Sequence, residues 1–386
     1  MQPSYSLRQL AIYFLRLGTY GFGGPVALVG YMHRDLVESR KWISEEEYKE
    51  GLALAQLAPG PLAAQLAIYL GFIHYRVWGA TIAGIVFVLP SFIMVVLLGM
   101  AYKLYGGLPG MQAVFYGVGA AVIGIIVLSA YKLTVKSIGK FQKDSFQQNW
   151  MLWLFFLLAA IVTILTKQEK VLVFIAAGIL YMLVKAPPKW MGTKTINGLL
   201  FLQIGFWTYD PGTLGKIALF FAKAGAFVFG SGLAIVPFLY SGVVVENHWL
   251  NEQEFLDAVA VAMITPGPVV ITVGFIGYLV AGFPGAAVAA LATFLPCYLF
   301  TVLPAPYFSR IAKNRSIKAF VDGITAAVVG ALAGSVIVIA QKSIVDIPSA
   351  IIALATVFAL LYIRKIPEPL IIAIAAVIGV IIKLFL

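Results

Sequence analysis

Apolar segments of about twenty residues recur along the whole chain, and short loops between them hold most of the charged residues. A helix needs roughly 20 apolar residues to cross the hydrocarbon layer of a bilayer. Because 61% of the 386 residues are hydrophobic and 11% are charged, a soluble core could not hold this much apolar surface. The pattern predicts an all-α polytopic membrane protein. Its roughly thirteen segments lie near 8–31, 51–73, 78–102, 111–131, 149–166, 171–185, 196–209, 214–244, 256–280, 285–303, 319–340, 347–363 and 369–386.

The net charge of +11 comes from basic runs between the apolar segments. This distribution indicates membrane topology and not a nucleic-acid surface. Arg16 interrupts the first apolar segment, so a cleaved signal peptide is not predicted. Cys297 is the only cysteine, and His33, His74 and His248 lack the spacing of metal ligands. We therefore expect no disulfide, no metal site and no cofactor.

The chain contains an internal repeat. A shift of 207 residues places Trp42 on Trp249 and the PGP of 59–61 on the PGP of 266–268. A shift of 206 places Pro90 on Pro296, so one deleted residue joins the two registers. We divide the chain into a first transporter repeat (1–195), a linking short membrane segment (196–213) and a second transporter repeat (214–386).

Loop charges predict that the two repeats have inverted topology. Cytoplasmic loops are enriched in Lys and Arg, and the basic loop follows the fourth segment in the first repeat but precedes it in the second. The short segment 196–209 supplies the odd number of crossings that inversion requires. We place the N-terminus inside and the C-terminus outside. The residues concerned are Lys132, Lys136, Lys140 and Lys143 in the first repeat, and Arg310, Lys313, Arg315 and Lys318 in the second.

Two breaks interrupt the apolar segments of each repeat. The first reads GFGGP at 21–25 and FGSG at 229–232, and the second reads LAPGPL at 57–62 and ITPGPV at 264–269. Such breaks are tolerated at membrane depth only where protein or an aqueous cavity surrounds the backbone. Transporters built from inverted repeats place discontinuous helices of this kind around a midplane substrate site. We therefore expect broken helices to meet at the midplane.

The second break has recognisable helix signals on both sides. Ser44 with Glu47, and Asn251 with Glu254, form capping-box patterns that start a helix after each tryptophan. We expect that helix to end before the PGP and a new one to begin at Pro61 or Pro268, since proline suits the first helical position. The amides of residues 62–64 and 269–271 would then point towards a bound anion.

Helix ends alone would not hold a buried anion. Each contributes about 0.3–1 kcal/mol, whereas desolvation costs several kcal/mol per buried ion. Arg16 and Lys223 align at the 207 shift and lie inside apolar segments, so both are candidate substrate-binding cations. The alternative is that both side chains extend to the membrane interface.

Polar residues near the PGP turns complete the candidate site. Glu50 and Asp257 are repeat-equivalent and are proton-coupling candidates, with helix N-terminal stabilisation in headgroup water as the alternative. Gln56, Gln65 and Thr265 flank the turns and could donate to an oxyanion. Intramembrane Gln and Thr more often bond a neighbouring helix.

These motifs resemble the chromate ion transporter family in its long two-domain form. The similarity rests on GFGGP, KWISEEEYKEGLALAQLAPGP, FGSG and HWLNEQEFLDAVAVAMITPGP, and it extends over almost all of the chain. The second domain departs from GGP, because Ser231 and Leu233 flank its second glycine. The resemblance implies that the motif residues line the substrate site: Gly23, Gly24, Pro25, Gln56, Pro59, Gly60, Pro61, Gly230, Gly232, Pro266, Gly267 and Pro268. Ser231, which departs from the family motif, is a further candidate for substrate binding.

The same resemblance implies a prokaryotic plasma-membrane protein that exports chromate, with sulfate associated with some members. We expect a secondary transporter, since no ATP-binding signature is present. A sulfate or related oxyanion transporter and an anion channel are the alternatives. A membrane enzyme is disfavoured, because the sequence lacks clustered catalytic groups in its apolar segments. The expected partners are the oxyanion and the lipid bilayer, with a homodimer as a candidate assembly.

Overall fold

The structure is a computed structural model whose regular elements, in the residues that it describes, are all helical. Segment 196–209 and the predicted site residues Gly23, Gly230 and Ser231 lie outside the described residues. The described residues are 4–22, 24–188, 212–227, 232, 235–308, 314–344, 346–363 and 367–385.

The helices of the first repeat are α1 (Leu7–Tyr20), α2 (Gly24–Met32), α3 (Glu45–Leu57), α4 (Leu62–Tyr105), α5 (Pro109–Ser137), α6 (Lys143–Gln148), α7 (Trp150–Thr166) and α8 (Val171–Lys185). Those of the second are α9 (Gly212–Ala226), α10 (Ile235–Tyr240), α11 (Glu252–Ile264), α12 (Thr272–Val302), α13 (Arg315–Ser343), α14 (Ile347–Tyr362) and α15 (Glu368–Phe385). A π-helical turn extends α2 (His33–Ser39) and α10 (Ser241–Glu246), and a 3-10 turn precedes α12 (Val269–Ile271).

Helix length and composition agree with a multi-pass membrane protein. Five helical stretches among the described residues are long and apolar enough to cross a bilayer. Three shorter helices, α7, α8 and α14, are also apolar. The five stretches are Leu62–Tyr105, Pro109–Ser137, Val269–Tyr307, Arg315–Lys342 and Glu368–Phe385.

The predicted membrane segment 8–31 is not one continuous helix, because α1 and α2 fold back on each other. Tyr13 donates a hydrogen bond to the Tyr31 carbonyl at 3.4 Å. Further from the turn, the rings of Tyr5 and Trp42 stack at 4.8 Å. The 14 residues of α1 extend about 21 Å, less than the roughly 30 Å of the hydrocarbon core. The first segment is therefore a hairpin, and Gly21 and Gly24 of the GFGGP motif border its turn.

The predicted segment 51–73 also folds back on itself. The His74 Nε2 atom lies 3.3 Å from the Glu47 carboxylate, and a Cβ at Gly51 would lie 2.3 Å from the Tyr69 ring. α3 and the first arm of α4 are thus antiparallel, with PGP at the tip. The helix α4 then reverses at Arg76, whose φ of 52° and ψ of −141° are not helical. Its long arm, residues 77–105, returns alongside the first.

The second repeat has the same backbone plan. Lys41 and His248, related by the 207 shift, both have positive φ, at 53° and 52°. Gly282, which the 206 shift relates to Arg76, reverses α12 with a φ of 62° and ψ of −154°. The amides of Trp42 and Trp249 donate to equivalent carbonyls, at 2.9 and 2.8 Å. The internal repeat read from the sequence is therefore visible in local geometry.

The last two helices of each repeat pack on the other repeat. A Cβ at Gly330 in α13 would lie 2.1 Å from the Phe156 carbonyl oxygen in α7. Likewise, a Cβ at Gly117 in α5 would lie 1.9 Å from the Ala375 carbonyl oxygen in α15. Such close backbone approach through glycine is typical of membrane helix packing. The hydrophobic core is accordingly continuous across both repeats.

Candidate functional site

The helix breaks at the PGP turns form as the sequence predicts. α3 ends at Leu57 and α4 begins at Leu62, while α11 ends at Ile264 and a 3-10 turn begins at Val269. Both capping boxes are present. Pro61 and Pro268 are N-caps in extended conformation, so each new helix begins one residue later than the sequence predicted.

Each PGP turn needs its central glycine. Gly60 has a φ of 143° and Gly267 a φ of 95°, a region that residues with a Cβ seldom enter. Both turns are also crowded. A Cβ at Gly60 would lie 2.7 Å from the Gln65 amide nitrogen, and one at Gly267 would lie 2.0 Å from the Ser91 hydroxyl.

The breaks of the two repeats meet inside the protein. The Gly267 amide donates a hydrogen bond to the Gly21 carbonyl at 2.9 Å, so the second PGP turn touches the tip of the first hairpin. A Cβ at Gly60 would lie 3.1 Å from Cys297. Because Ser91 and Cys297 are equivalent at the 206 shift, each PGP turn faces the same position of the other repeat. We call this region the junction: Gly21, Gly60, Gln65, Ser91, Gly267 and Cys297.

Two buried polar atoms at the junction have no hydrogen-bond partner among the described residues. They are the Ser91 hydroxyl and the Gln65 Oε1 atom. The Gln65 Nε2 atom donates to the Pro59 carbonyl at 2.9 Å. A buried polar group without a partner costs about 1–3 kcal/mol, so native structures retain few of them. Ser91 was not among the site residues predicted from the sequence. It directly follows Pro90, which the 206 shift aligns with Pro296, and this position is the signal that could have identified it.

The threonines near the second turn bond to their own helices instead. The Thr265 hydroxyl donates to the Ala262 carbonyl of its own helix at 3.0 Å, so this bond is not to a neighbouring helix, and the role of Thr265 in binding stays a prediction. Gln56 is exposed, whereas Gln65 is fully buried. Gly24 and Pro25 open α2, and Gly232 is buried, with the Val269 side chain 3.3 Å from a Cβ placed on it. Pro59 and Pro266 precede the two turn glycines, and their role in binding stays a prediction.

A cavity of about 300 Å³ lies beside the first hairpin tip and contains Arg16. Sequence reasoning missed two further arginines that line it, Arg34 and Arg40, because both lie outside the apolar segments. The Asp35 carboxylate accepts a hydrogen bond from Arg34 Nε at 2.9 Å and thereby raises the pKa of the guanidinium. Lys223, the counterpart of Arg16, is exposed and lines neither this cavity nor the next one.

A second cavity, of about 750 Å³, contains the predicted proton-coupling residue Asp257. This carboxylate is 2% exposed. It accepts hydrogen bonds from the Tyr102 hydroxyl at 2.6 Å and from the Gln253 amide at 2.8 Å. Glu50 is half-buried, beside Tyr69. The two repeat-equivalent carboxylates therefore differ in burial. Other charged groups lining the cavity are Lys103, Glu254 and Lys383.

Helix hairpins that meet beside buried polar groups, in a chain with long apolar helices, are typical of the class of multi-pass membrane transporters. The family model described as chromate transporter matches residues 8–182 and 215–380. The chain belongs to the chromate transporter family. The two matched regions correspond to the two repeats, so the long two-domain form is confirmed.

Three relatives have names of the same kind. The chain is 63% identical over 384 residues to a chromate transport protein of Cupriavidus metallidurans, covering 98% of this chain and 94% of the relative. It is 59% identical to a probable chromate transport protein of Synechococcus elongatus, covering 99% and 97%. It is 28% identical to a chromate transport protein of Pseudomonas aeruginosa, covering 90% and 84%. No solved structure matches the chain.

Proposed function

We propose that this protein is a secondary transporter that exports chromate across the prokaryotic plasma membrane, with the junction as its substrate site. One observation carries the proposal: the hydrogen bond between Gly267 and Gly21 joins breaks of both repeats beside the buried, unpartnered Ser91 hydroxyl. A tetrahedral oxyanion could accept hydrogen bonds from that hydroxyl and from amides that follow each PGP turn. The Ile271 amide is not among them, contrary to the sequence-based prediction, because it donates to the Pro268 carbonyl at 3.0 Å.

Chromate as the substrate is supported by the relatives, which carry that name at up to 63% identity over almost the full chain. The direction is supported by the membrane potential. With the cell interior negative, moving a dianion outwards gains about 4.6 kcal/mol per 100 mV, from roughly 2.3 kcal/mol per charge. Uptake of the same ion would need cations to accompany it.

Helix directions support an inverted arrangement of the repeats. The long arm of α4 contacts the helix that follows the second PGP. The residue numbers of the contacting pairs increase in the same direction along both helices, so these helices run parallel. The long arm is antiparallel to residues 62–75, the first-repeat counterpart of that helix. Equivalent helices thus point in opposite directions. The contacting pairs are Ser91 with Gly267, Val95 with Gly274 and Gly99 with Tyr278.

The hairpins leave the predicted crossing parity unchanged. Two segments of the first repeat, 8–31 and 51–73, fold back on themselves; if neither crosses the bilayer, the number of crossings falls by two. The predicted odd number of membrane crossings therefore stays odd, provided that segment 196–209 crosses the bilayer. Inversion can be tested by labelling Leu108→Cys and Asn314→Cys, which are exposed, repeat-equivalent helix caps. Each is made in a Cys297→Ser background, and labelling from the same face would contradict inversion.

Asp257 is our leading candidate for proton coupling. Its burial and its hydrogen bonds from Tyr102 and Gln253 fix a carboxylate at the edge of a large cavity, where a proton could arrive from water. Glu50 occupies the equivalent position with less burial. Since the export of a dianion is already favoured by the potential, coupling would add to transport and is not required for it.

The function can be tested by uptake of labelled chromate, sulfate and molybdate into everted vesicles with an imposed potential and pH gradient. We expect saturable chromate uptake driven by a lumen-positive potential, above that of vesicles lacking the protein. A preference for sulfate would assign the related oxyanion instead. Large, non-saturating currents without counterflow would indicate an anion channel. Uptake of none of the three would overturn the proposal.

A further inference from the structure

Three arginines surround the cavity of about 300 Å³ beside the first hairpin. Arg16 comes from α1, while Arg34 and Arg40 come from the π-helical turn after α2 and the residue that follows it. Asp35 supplies one carboxylate to the same cavity. Three guanidinium charges against one carboxylate leave a net charge of +2, which equals the magnitude of the charge on a tetrahedral dianion such as chromate.

Aromatic rings hold two of the guanidinium groups in place. Arg40 lies 4.6 Å from the centroid of the Trp42 ring and 5.5 Å from that of Tyr13. Arg34 lies 5.3 Å from the centroid of the Tyr31 ring. Stacked guanidinium groups lose less rotamer freedom when they bind, and their planar donors suit oxyanions. Arg16 makes no hydrogen bond or ion pair with the residues that the structure describes, so its donors are available.

The second repeat fills the equivalent space with apolar groups. Under the 207 shift, Arg34 and Arg40 become Ser241 and Asn247, so the charges are lost. The counterparts of Tyr13 and Tyr31 are phenylalanines whose rings stack at 5.6 Å, Phe220 and Phe238. The cationic pocket is therefore a feature of the first repeat, although the second repeat has the same backbone plan.

The pocket also borders the junction. Gly21 lines the cavity, and its carbonyl accepts the hydrogen bond from the Gly267 amide. An anion held by the arginines would thus lie next to the hairpin tip that touches the second PGP turn.

We infer that this pocket is a capture site for a tetrahedral dianion, in which Arg16, Arg34 and Arg40 bind the transported ion before it enters the junction. The inference rests on the proposed function for the identity of the ion. A phosphate of a membrane lipid presents similar chemistry, but it carries one negative charge against the pocket's two positive ones. The free dianion is therefore the better match.

The test compares the double variant Arg34→Gln/Arg40→Gln, which removes two positive charges, with Arg8→Gln, which removes one from an exposed site on α1 outside the cavity. We expect the double variant to raise KM for chromate uptake by about tenfold or more, because charge-assisted hydrogen bonds are lost. The maximal rate should change less than KM, since the junction is intact. Arg40→Lys, which keeps the charge but loses the planar stack, should have an intermediate KM.

Binding measured separately distinguishes the inference from the function on which it rests. Titration of chromate into purified, delipidated protein in a phosphate-free detergent should give an affinity that falls in the double variant and not in Arg8→Gln. Binding without transport would leave the capture site standing and overturn the function. An unchanged KM and affinity in the double variant would overturn the capture site. So would arginine-dependent binding of added phosphatidylglycerol with unchanged chromate affinity.

Discussion

The two repeats share a backbone but differ in what fills the space beside the first hairpin. In the first repeat this space is a polar cavity lined by Arg16, Arg34 and Arg40. In the second, a Cβ placed on Gly242 would lie 1.8 Å from the Phe220 ring, so the same space is packed. Duplication preserved the turns and caps, whereas the side chains that face the cavities diverged. The turns common to both repeats build the junction, whereas the side chains found in one repeat are candidates for a function that the other repeat does not share.

The largest expected effect tests the shared backbone. Gly18 and Gly225 are repeat-equivalent, and a Cβ would lie 2.2 Å from the Phe87 carbonyl oxygen and 2.1 Å from the Thr293 one. Replacing either glycine with alanine should reduce the free energy of unfolding by about 1–3 kcal/mol. The yield of monodisperse protein should fall accordingly. Gly30→Ala is the control, because nothing lies within 4 Å of its added Cβ. If one alanine variant kept its stability while the other lost it, the two glycines would not be structurally equivalent.

Much of this shared architecture could be predicted from the sequence. Capping boxes, PGP breaks and the 207-residue repeat depend on local residue types, and local geometry follows them closely. The folding back of α1 on α2 could not be predicted, because hydropathy counts apolar residues without reporting where the chain reverses. The pairing of Gly267 with Ser91 likewise joins positions far apart in the chain.

Arg34 and Arg40 show a different limit of sequence reasoning. Both follow the first apolar segment, where basic residues ordinarily indicate membrane sidedness. Their convergence with Arg16 depends on the hairpin, which brings the π-helical turn back beside α1. A search for cations inside apolar segments finds Arg16 and Lys223 and cannot find the other two.

The second prediction concerns the cross-repeat pair at the junction. Ser91→Ala removes a buried hydroxyl that has no partner among the described residues, so stability should be unchanged or higher by about 1 kcal/mol. Chromate transport should nevertheless fall by about tenfold, since a donor to the oxyanion is lost. Cys297→Ser, at the equivalent position, keeps a small side chain with a hydrogen-bond donor in the junction, so this matched control should retain transport. A stable Ser91→Ala protein with normal rates would remove the hydroxyl from the site.

The third prediction compares the two equivalent carboxylates. Asp257→Asn keeps the shape of a buried group that Tyr102 and Gln253 contact, but it cannot carry a proton. We expect chromate uptake into everted vesicles to lose its response to an imposed pH gradient while still responding to the potential. Glu50→Gln, which is less buried, should change this response less. An unchanged pH response in Asp257→Asn would exclude the residue from coupling.

The smallest expected effect returns to a feature that both repeats retain. The Ser44 side chain accepts from the Glu47 amide at 3.2 Å, and the Asn251 side chain accepts from the Glu254 amide at 2.9 Å. Ser44→Ala and Asn251→Ala should each reduce stability by about 1 kcal/mol, the usual cost of an N-cap, with KM for chromate unchanged. Thermal unfolding in detergent, alongside uptake, measures both. Because the caps lie at the base of each PGP hairpin, away from its tip, a KM change in only one variant would show that the repeats differ in their hairpin bases as well as in their cavities.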